Sequence, residues 1–141
     1  MKIRITRIDS RASLPTYRTE GAAGFDLALI EEVMVPPKTA VLARTGLGFG
    51  TPDGHALMIF PRSSLFKKYG LTLANSVGVL DQDYAGPQDE LLLHLYNTSD
   101  APVTLKAGDR VAQGVFMPIT RAEWEEAEAD SANRGGFGST G

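Results

Sequence analysis

The sequence predicts an all-β domain, a sandwich, barrel or jelly roll, with one short helix and a glycine-rich C-terminal arm. Polar and apolar residues alternate with a period of two along much of the 141-residue chain, as they do in strands that bury one face. Turns rich in glycine, proline, asparagine and aspartate interrupt this alternation at short intervals, which is typical of all-β folds.

The predicted strands are short and lie between recognisable turns. They comprise residues 2–8, 25–30, 39–46, 55–60, 91–96 and 110–117. The turns comprise residues 36–37, 51–54, 97–100 and 106–109, all of which carry residues that favour turn conformations. Residues 75–86 are predicted to form a further strand, a tight turn and a returning strand.

Two stretches have the local chemistry of a helix. Residues 63–69 follow Pro61 and precede Gly70, which predicts two helical turns that end at the glycine. Thr120-Arg121-Ala122-Glu123 has the pattern of a capping box that would open a helix over residues 121–129.

The last residues differ in composition from the rest of the chain. Residues 130–141 are rich in glycine, and Phe137 is their one large apolar side chain, so they cannot form a core by themselves. We therefore predict a β domain over residues 1–129 and a flexible arm over residues 130–141. The arm is either a frayed terminus or a segment that closes over a ligand, because glycine amides approach phosphate closely and a ring stacks on a base.

Composition excludes several classes of function. A net charge of −3 gives no electrostatic surface for a nucleic-acid polymer. The absence of cysteine excludes disulfides and thiolate metal sites. His55 and His94 are the two histidines, and each is expected to be structural. No long apolar run predicts a membrane span, and no secretion signal is recognisable, so a cytoplasmic protein is expected.

The segment from Asn75 to Gly86 carries the clearest candidate for chemistry. Apolar residues lead into Asp81 and Asp83, which are separated by one residue and followed by Tyr84. A carboxylate held in a cleft activates water as a general base. The alternative is that both aspartates only shape a turn.

Three other segments carry polar groups that suit a phosphorylated ligand. Pro61-Arg62-Ser63-Ser64-Leu65 joins a strand to a helix start and offers amides, hydroxyls and a guanidinium to an anion, although a serine cap is the simpler interpretation. Asp26 begins an apolar strand and suits a hydrated cation or a turn. Arg110 and Gln113 interrupt an apolar strand, as side chains on an exposed strand face also do.

In their order along the chain, these segments resemble the five sequence motifs of the trimeric dUTPase family. The matching segments are residues 22–27, 61–65, 78–86, 110–113 and 134–141. Each is short, but Gly-Val-Leu-Asp-Gln-Asp-Tyr-Ala-Gly together with a terminal Gly-Gly-Phe-Gly-Ser-Thr-Gly is specific. The resemblance implies a jelly-roll-like homotrimer that hydrolyses dUTP to dUMP and pyrophosphate, with each site built by more than one subunit.

The resemblance also implies roles for the central residues. Asp81 matches the carboxylate that activates water for attack on the α-phosphorus. Tyr84 matches the ring that packs on deoxyribose and excludes a 2′-hydroxyl. Asn75 and the backbone around Val79, Leu80 and Asp81 match the hairpin that reads the edge of uracil.

Further roles concern the triphosphate and its metal ion. Asp26 matches the acid that steadies a water-coordinated Mg²⁺, and Phe137 matches the ring that closes over uracil. The residues matched to phosphate binding are Arg62, Ser63, Ser64, Gln113, Arg134, Gly138 and Ser139.

The sequence departs from the family pattern in three places. Pro87-Gln88-Asp89-Glu90 lengthens the segment between Gly86 and Asn97 relative to many members. Arg134 stands closer to Phe137 than the pattern has it. Residues 121–129 favour a helix locally, whereas the family is extended there. We expect an extended segment, because tertiary context often overrides local propensity.

Two alternative functions share the predicted scaffold. A dCTP deaminase has a similar Arg-Ser-Ser segment, but it uses a glutamate where this chain has His94 and a second arginine where it has Lys67. A non-catalytic trimer is the other alternative, and the presence of every candidate catalytic residue argues against it.

Overall fold

The computed structural model describes residues 1–129 of the chain. Within this range the chain forms eleven strands and one helix. They are β1 (Arg4–Arg7), β2 (Phe25–Ala28), β3 (Val33–Val35), β4 (Ala40–Arg44), β5 (Leu47–Gly50), β6 (His55–Pro61), α1 (Ser63–Tyr69), β7 (Leu71–Leu73), β8 (Gly78–Leu80), β9 (Leu92–Asn97), β10 (Val103–Leu105) and β11 (Arg110–Pro118). The predicted all-β class with one short helix is confirmed. No helix within residues 1–129 has the length and apolarity needed to cross a membrane.

Four antiparallel sheets make up the jelly-roll-like body. The largest has the strand order β2-β11-β6-β8, and a three-stranded sheet has the order β4-β9-β7. Two strand pairs, β1-β5 and β3-β10, complete the architecture. Neighbours in these sheets are mostly distant in sequence, so the core is assembled from long-range contacts.

Alternating leucines from the sheets build the core. Leu57, Leu93, Leu95 and Leu105 are each almost completely buried, as expected when every second residue of a strand faces inward. Gly114 interrupts this pattern in β11, because a Cβ at that position would overlap the ring of Phe25.

Strand β11 brings polar residues from three strands to one end of the largest sheet. It pairs with β2 on one side, where Gln113 lies opposite Asp26, and with β6 on the other, where Gln113 lies opposite Phe60. A register shift between Arg110 and Ala112 interrupts the pairing with β2, and such bulges redirect side chains at strand ends.

Helix α1 matches its predicted bounds. It ends at Gly70, whose φ of 64° is the left-handed conformation that favours glycine at a helix end. The serine cap is the part of the interpretation that was wrong. The N-cap residue is Arg62, and it makes no side-chain capping hydrogen bond.

Other differences from the predicted elements have physical causes. The strand predicted over residues 39–46 is β4, which ends two residues early because Gly46 turns the chain with a φ of 68°, and β5, which follows that turn, was not predicted. Residues 121–129 contain no helix. The capping-box pattern at residues 120–123 therefore does not start a helix there. The returning strand predicted within residues 75–86 is absent, because the chain forms no strand between Leu80 and Leu92. β8 pairs with β6, whereas β9 lies in the other sheet between β4 and β7.

Candidate active site

A cavity of about 230 Å³ lies where β8 ends and β9 begins. Asp81 and Tyr84 line it from the loop that follows β8, and Val79 and Leu80 line it from β8 itself. Glu90, Leu91 and Leu92 form the opposite side. A carboxylate, an aromatic ring and exposed apolar surface therefore meet at one opening, as in many small-molecule sites.

A second cavity of about 110 Å³ adjoins the first and shares Val79, Leu80, Leu91 and Leu92 with it. Its remaining lining residues include Asn75, Gly78 and His94. A Cβ at Gly78 would lie 3.1 Å from the Cβ of Ile59, so glycine permits this part of the wall to pack tightly.

The backbone of β8 is available for recognition at these cavities. β8 is an edge strand that pairs only with β6 within residues 1–129. In an edge strand, alternate N–H and C=O groups have no ladder partner and can bond to another molecule. Val79, whose side chain is 56% exposed, belongs to this edge.

Asp81 is exposed and lies between two cavities. Besides the first cavity, it lines one of about 250 Å³ that Gln82 and Arg121 also line. Among residues 1–129 its carboxylate has no hydrogen-bonding partner, while the neighbouring Gln82 amide donates to Asp53. The Asp81 carboxylate is therefore free to accept a hydrogen bond from water.

Three arginines surround the carboxylate of Asp26, which is only 9% exposed. Arg62 Nε lies 2.9 Å from Oδ1, Arg110 Nη1 lies 3.4 Å from Oδ2, and Arg18 Nε lies 3.8 Å from Oδ2. One negative charge among three positive charges leaves an excess of positive charge. Such a cluster attracts a polyanion.

The other predicted phosphate residues in the described range lie beside this arginine cluster. Gln113 Nε2 donates to the carbonyl of Pro61 at 3.3 Å, and Arg62 Nη1 donates to the carbonyl of Arg110 at 3.1 Å. Ser63 and Ser64 follow directly and are exposed. The structure thus brings Asp26, Arg62 and Gln113 together as the motif order predicted.

Asp81 and Arg62 lie towards opposite ends of β6. Leu80, which precedes Asp81, pairs with Leu57, whereas Arg62 follows the other end of the strand. At ~3.3 Å per residue, Leu57 and Arg62 are about 16 Å apart along the strand. We call the two groups of candidate residues the nucleoside half-site (Asn75, Val79, Leu80, Asp81 and Tyr84) and the phosphate half-site (Asp26, Arg62, Ser63, Ser64 and Gln113).

The arrangement around Asp26 fits a hydrated Mg²⁺ rather than a directly ligated one. Residues 1–129 contain no group of three His, Cys, Asp or Glu side chains that could hold a metal ion. Oδ2 of Asp26 is buried and has no hydrogen-bonding partner in the same range. A water molecule on a phosphate-bound Mg²⁺ would supply the missing donor.

Four of the predicted site residues lie outside the described residues, and some residues near the site had no predicted role. Arg134, Phe137, Gly138 and Ser139 belong to residues 130–141. Arg110 was noted in the sequence but given no role, and Arg18 and Glu90 were not noted, because no local pattern marks a residue whose partners are distant in sequence. The Nδ1 of His55 lies 2.9 Å from the carbonyl oxygen of Asp53, and His55 also lines the cavity of about 250 Å³ beside Asp81. His94 is exposed and lines the second cavity.

Comparisons with known proteins identify the family of this chain. The family model described as dUTPase matches residues 10–141. The chain is 42% identical to the deoxyuridine 5′-triphosphate nucleotidohydrolase of Wolinella succinogenes and 44% identical to that of Shewanella oneidensis. Each alignment covers 100% of this chain and 95% of the relative.

Solved structures of dUTPases share the fold. The crystal structure of the Streptococcus mutans dUTPase has a TM-score of 0.79 and 36% identity, covering 88% of this chain and 100% of that one. The Staphylococcus bacteriophage 80alpha dUTPase with dUpNHpp has a TM-score of 0.87 at 22% identity, covering 99% and 98% of the two chains.

A variant of the dUTPase from phage phi11 of S. aureus has a TM-score of 0.81 at 21% identity, covering 92% of this chain and 99% of that one. Its structure concerns the coordination of a structural Mg(II) ion. At these identities the two phage proteins establish the fold alone. The family model and the full-length relatives establish more: this chain belongs to the dUTPase family and is a dUTP diphosphatase.

Proposed function

We propose that this enzyme hydrolyses dUTP through attack on the α-phosphorus by a water molecule that Asp81 activates. One observation carries the proposal: the free carboxylate of Asp81 shares a cavity with Tyr84. A carboxylate in this position accepts a proton from water and orients the oxygen for attack. The products are dUMP and pyrophosphate.

The two adjoining cavities are proposed to hold the nucleoside. Tyr84 packs on the deoxyribose and leaves no space for a 2′-hydroxyl. The base occupies the cavity beside Asn75 and Gly78, where the free edge of β8 supplies backbone groups. Backbone donors and acceptors distinguish uracil from cytosine, and tight packing at Gly78 excludes the methyl group of thymine.

The phosphate half-site is proposed to bind the triphosphate. Phosphoryl transfer depends on positioning and charge neutralisation more than on covalent help. Arg62 presents a planar guanidinium that suits two phosphate oxygens, and Gln113, Ser63 and Ser64 add neutral donors. The excess positive charge around Asp26 supports this assignment.

The family and the environment of Asp26 support a requirement for Mg²⁺. When bound, Mg²⁺ neutralises phosphate charge and polarises the phosphorus. The phosphate oxygens would hold the ion directly. Asp26 Oδ2 would accept a hydrogen bond from one of its water molecules, which fixes the orientation of the hydrated ion.

The separation of the half-sites supports a homotrimer in which one subunit supplies Asp81 and another supplies Arg62. Apolar surface is available for subunit contacts. A cavity of about 440 Å³ is lined by Met1, Tyr17 and other apolar side chains, and Trp124 is 94% exposed. These apolar side chains are available to contact another subunit.

Residues 130–141 are proposed to form an arm that completes the site. Phe137 would stack on uracil, while Arg134, Gly138 and Ser139 would contact the terminal phosphates. The basis is the composition of the segment and its match to the family model, which extends to residue 141.

Pyrophosphate release from dUTP, dTTP, dCTP and UTP tests the proposed function. We expect hydrolysis of dUTP with Mg²⁺ and weak activity on the other three nucleotides. Ammonia release from dCTP would instead favour the deaminase alternative. Light scattering tests the assembly, and a monomer that turns over dUTP would refute the composite site.

A further inference from the structure

Glu90 connects the nucleoside half-site to the bend between β4 and β5. Its Oε2 accepts hydrogen bonds from Arg44 Nε at 3.1 Å and Nη2 at 2.9 Å. Its Oε1 accepts one from the backbone N–H of Gly46 at 2.7 Å. The side chain is only 11% exposed. Charge-assisted bonds of this kind are stronger and more directional than neutral ones.

The same residue holds Tyr84 through its main chain. The Tyr84 hydroxyl donates to the carbonyl of Glu90 at 2.9 Å. The backbone N–H of Tyr84 donates to the carbonyl of Asp81 at 3.4 Å, which is a long contact. Tyr84 is 40% exposed, so the hydroxyl bond is the main restraint that the structure gives to its ring.

Other hydrogen bonds shape the same loop, including the one from Gln82 to Asp53 at its Asp81 end. Asp89 accepts a hydrogen bond from the Gly86 amide at 2.6 Å, which closes the turn internally. The Leu91 amide donates to the carbonyl of Leu47 at 2.8 Å, beside the bend that Glu90 contacts. None of residues 81–91 belongs to a strand or helix. The loop is therefore fixed to the body at its Glu90 end.

We propose that Glu90 is a positioning residue for Tyr84, which fixes the ring at the depth that separates deoxyribose from ribose. This inference rests on the proposed role of Tyr84 in sugar selection. Its physical basis is that small displacements of a steric wall change which substituents fit. The segment that Pro87-Gln88-Asp89-Glu90 lengthens would thus help to determine whether the enzyme accepts ribose.

Substitutions at Glu90 and Tyr84 test the proposal. We expect Glu90→Ala to raise the ratio of kcat/KM for UTP to that for dUTP by about three- to tenfold, because the Glu90 carbonyl shifts once its side chain no longer holds it and the one hydrogen bond from the Tyr84 hydroxyl is weakened. Tyr84→Phe, which lacks the hydroxyl, should raise it similarly. The ratio for the double variant should not exceed the ratio for either single variant, since both changes act on the same connection between Glu90 and Tyr84. Independent, multiplying effects would overturn the proposal.

Glu31→Ala is the matched control. Glu31 also pairs with an arginine, Arg11, at 3.4 Å, and does not contact the loop. It should leave the ratio unchanged. If Glu90→Ala fails to fold, Arg44→Lys is the milder variant, because lysine keeps the charge but loses the forked contact. An unchanged ratio in folded Arg44→Lys would then count against the proposal.

A measurement that does not depend on catalysis tests the positioning of Tyr84 independently of the proposed function. The ring signals of ¹³C-labelled tyrosine report the environment of Tyr84 in the nucleotide-free enzyme. They should shift or broaden in Glu90→Ala and stay unchanged in Glu31→Ala. If Tyr84→Ala leaves the UTP to dUTP ratio unchanged, the role of Tyr84 in sugar selection is wrong. An unchanged Tyr84 signal in Glu90→Ala refutes positioning by Glu90 itself.

Discussion

Arg62 Nε lies 2.9 Å from Oδ1 of Asp26, and the other carboxylate oxygen has no hydrogen-bonding partner within residues 1–129. The two oxygens of one carboxylate therefore have different surroundings. One fixes a guanidinium, and the other faces Arg18 and Arg110 at longer distances. Asp26 can orient the phosphate-binding arginine while retaining a free acceptor for a water molecule of a hydrated ion.

Asp26→Asn is expected to raise the Mg²⁺ concentration needed for half-maximal activity and to lower kcat/KM about 10- to 100-fold, the usual effect of losing an outer-sphere metal contact. Asparagine keeps the shape but removes the charge that orients Arg62. A Mg²⁺ titration of dUTP hydrolysis measures both effects. Asp100→Asn, at an exposed aspartate paired with Lys38, is the control, and an Mg²⁺ requirement equal to that of the unmodified enzyme would contradict the assignment.

Asp81→Asn is expected to lower kcat by ~10²-fold or more, because the variant keeps the shape of the side chain but loses the base. Binding of dUTP should remain close to normal when measured by calorimetry. Asp83→Asn is the matched control, since Asp83 lies two residues away in the same exposed loop. Equal losses of kcat in the two variants would show that hydrolysis depends on the loop as a whole and not on the Asp81 carboxylate.

The sequence predicted elements whose determinants are local. Pro61 and Gly70 bracket α1, and the left-handed conformation at Gly70 stops the helix as glycine chemistry predicts. Strand β5 was missed, although the turn at Gly46 that precedes it is also local. Glycine is needed at that turn because a Cβ there would lie 2.9 Å from the Cβ of Ala12, a contact set by the tertiary fold.

For the candidate site too, the sequence predicted some features and missed others. Motif order predicted Asp26, Arg62 and Asp81 as site residues, because the resemblance covers those segments. It did not reveal that Glu90 bonds to Arg44, since 46 residues separate the two. It also could not show that β8 is an edge strand, because strand pairing depends on the whole topology. Contacts between distant segments were therefore the part that required the structure.

Asp9→Asn is expected to reduce stability at neutral pH and to have less effect as the pH falls. Hydrogen bonds from Arg11 hold the pKa of Asp9 well below its ordinary value. Stability from a group with a lowered pKa is present above its unfolded pKa, about 3.9, and is lost as the pH falls through its folded pKa. Urea unfolding from pH 7 to pH 2, at fixed protein concentration, measures the difference.

Asp100→Asn serves again as the comparison for Asp9. Asp100 is 94% exposed and pairs with Lys38 at 3.2 Å, so solvent screens its interaction. We expect little loss at any pH from this change. A stability difference for Asp9→Asn that is constant with pH would mean that packing, and not charge, is the cause.

Deleting residues 133–141 is expected to leave the β domain and its assembly intact and to lower kcat more than it weakens dUTP binding. A closing arm excludes water and completes the phosphate contacts, which matters most as charge shifts in the transition state. Phe137→Ala should reproduce part of the loss through stacking worth on the order of 1–3 kcal/mol. Arg134→Ala tests contact with the terminal phosphate. Full activity of the truncated enzyme would mean that the terminus only frays.

Mixing two inactive variants tests whether the half-sites combine between subunits. Asp81→Asn damages the nucleoside half-site, and Arg62→Ala damages the phosphate half-site at the other end of β6. If each site takes these residues from different subunits, some sites in a mixed trimer contain both intact residues. With equal amounts and random assembly, about one quarter of the sites should be intact. Co-refolding the variants and measuring pyrophosphate release gives the recovered activity.

The control mixture combines Asp81→Asn with Tyr84→Ala. Both changes lie in the nucleoside half-site, and both residues line one cavity of one chain. Every site then receives at least one damaged residue whichever subunits meet, so activity should not exceed that of the separate variants. If activity recovers in the first mixture but not in the control mixture, the site must be shared between subunits. Subunit exchange without a shared site would affect both mixtures equally. Absence of recovery in both, with exchange verified by mass spectrometry, would place Asp81 and Arg62 in one subunit's site and contradict the proposal that two subunits share each site.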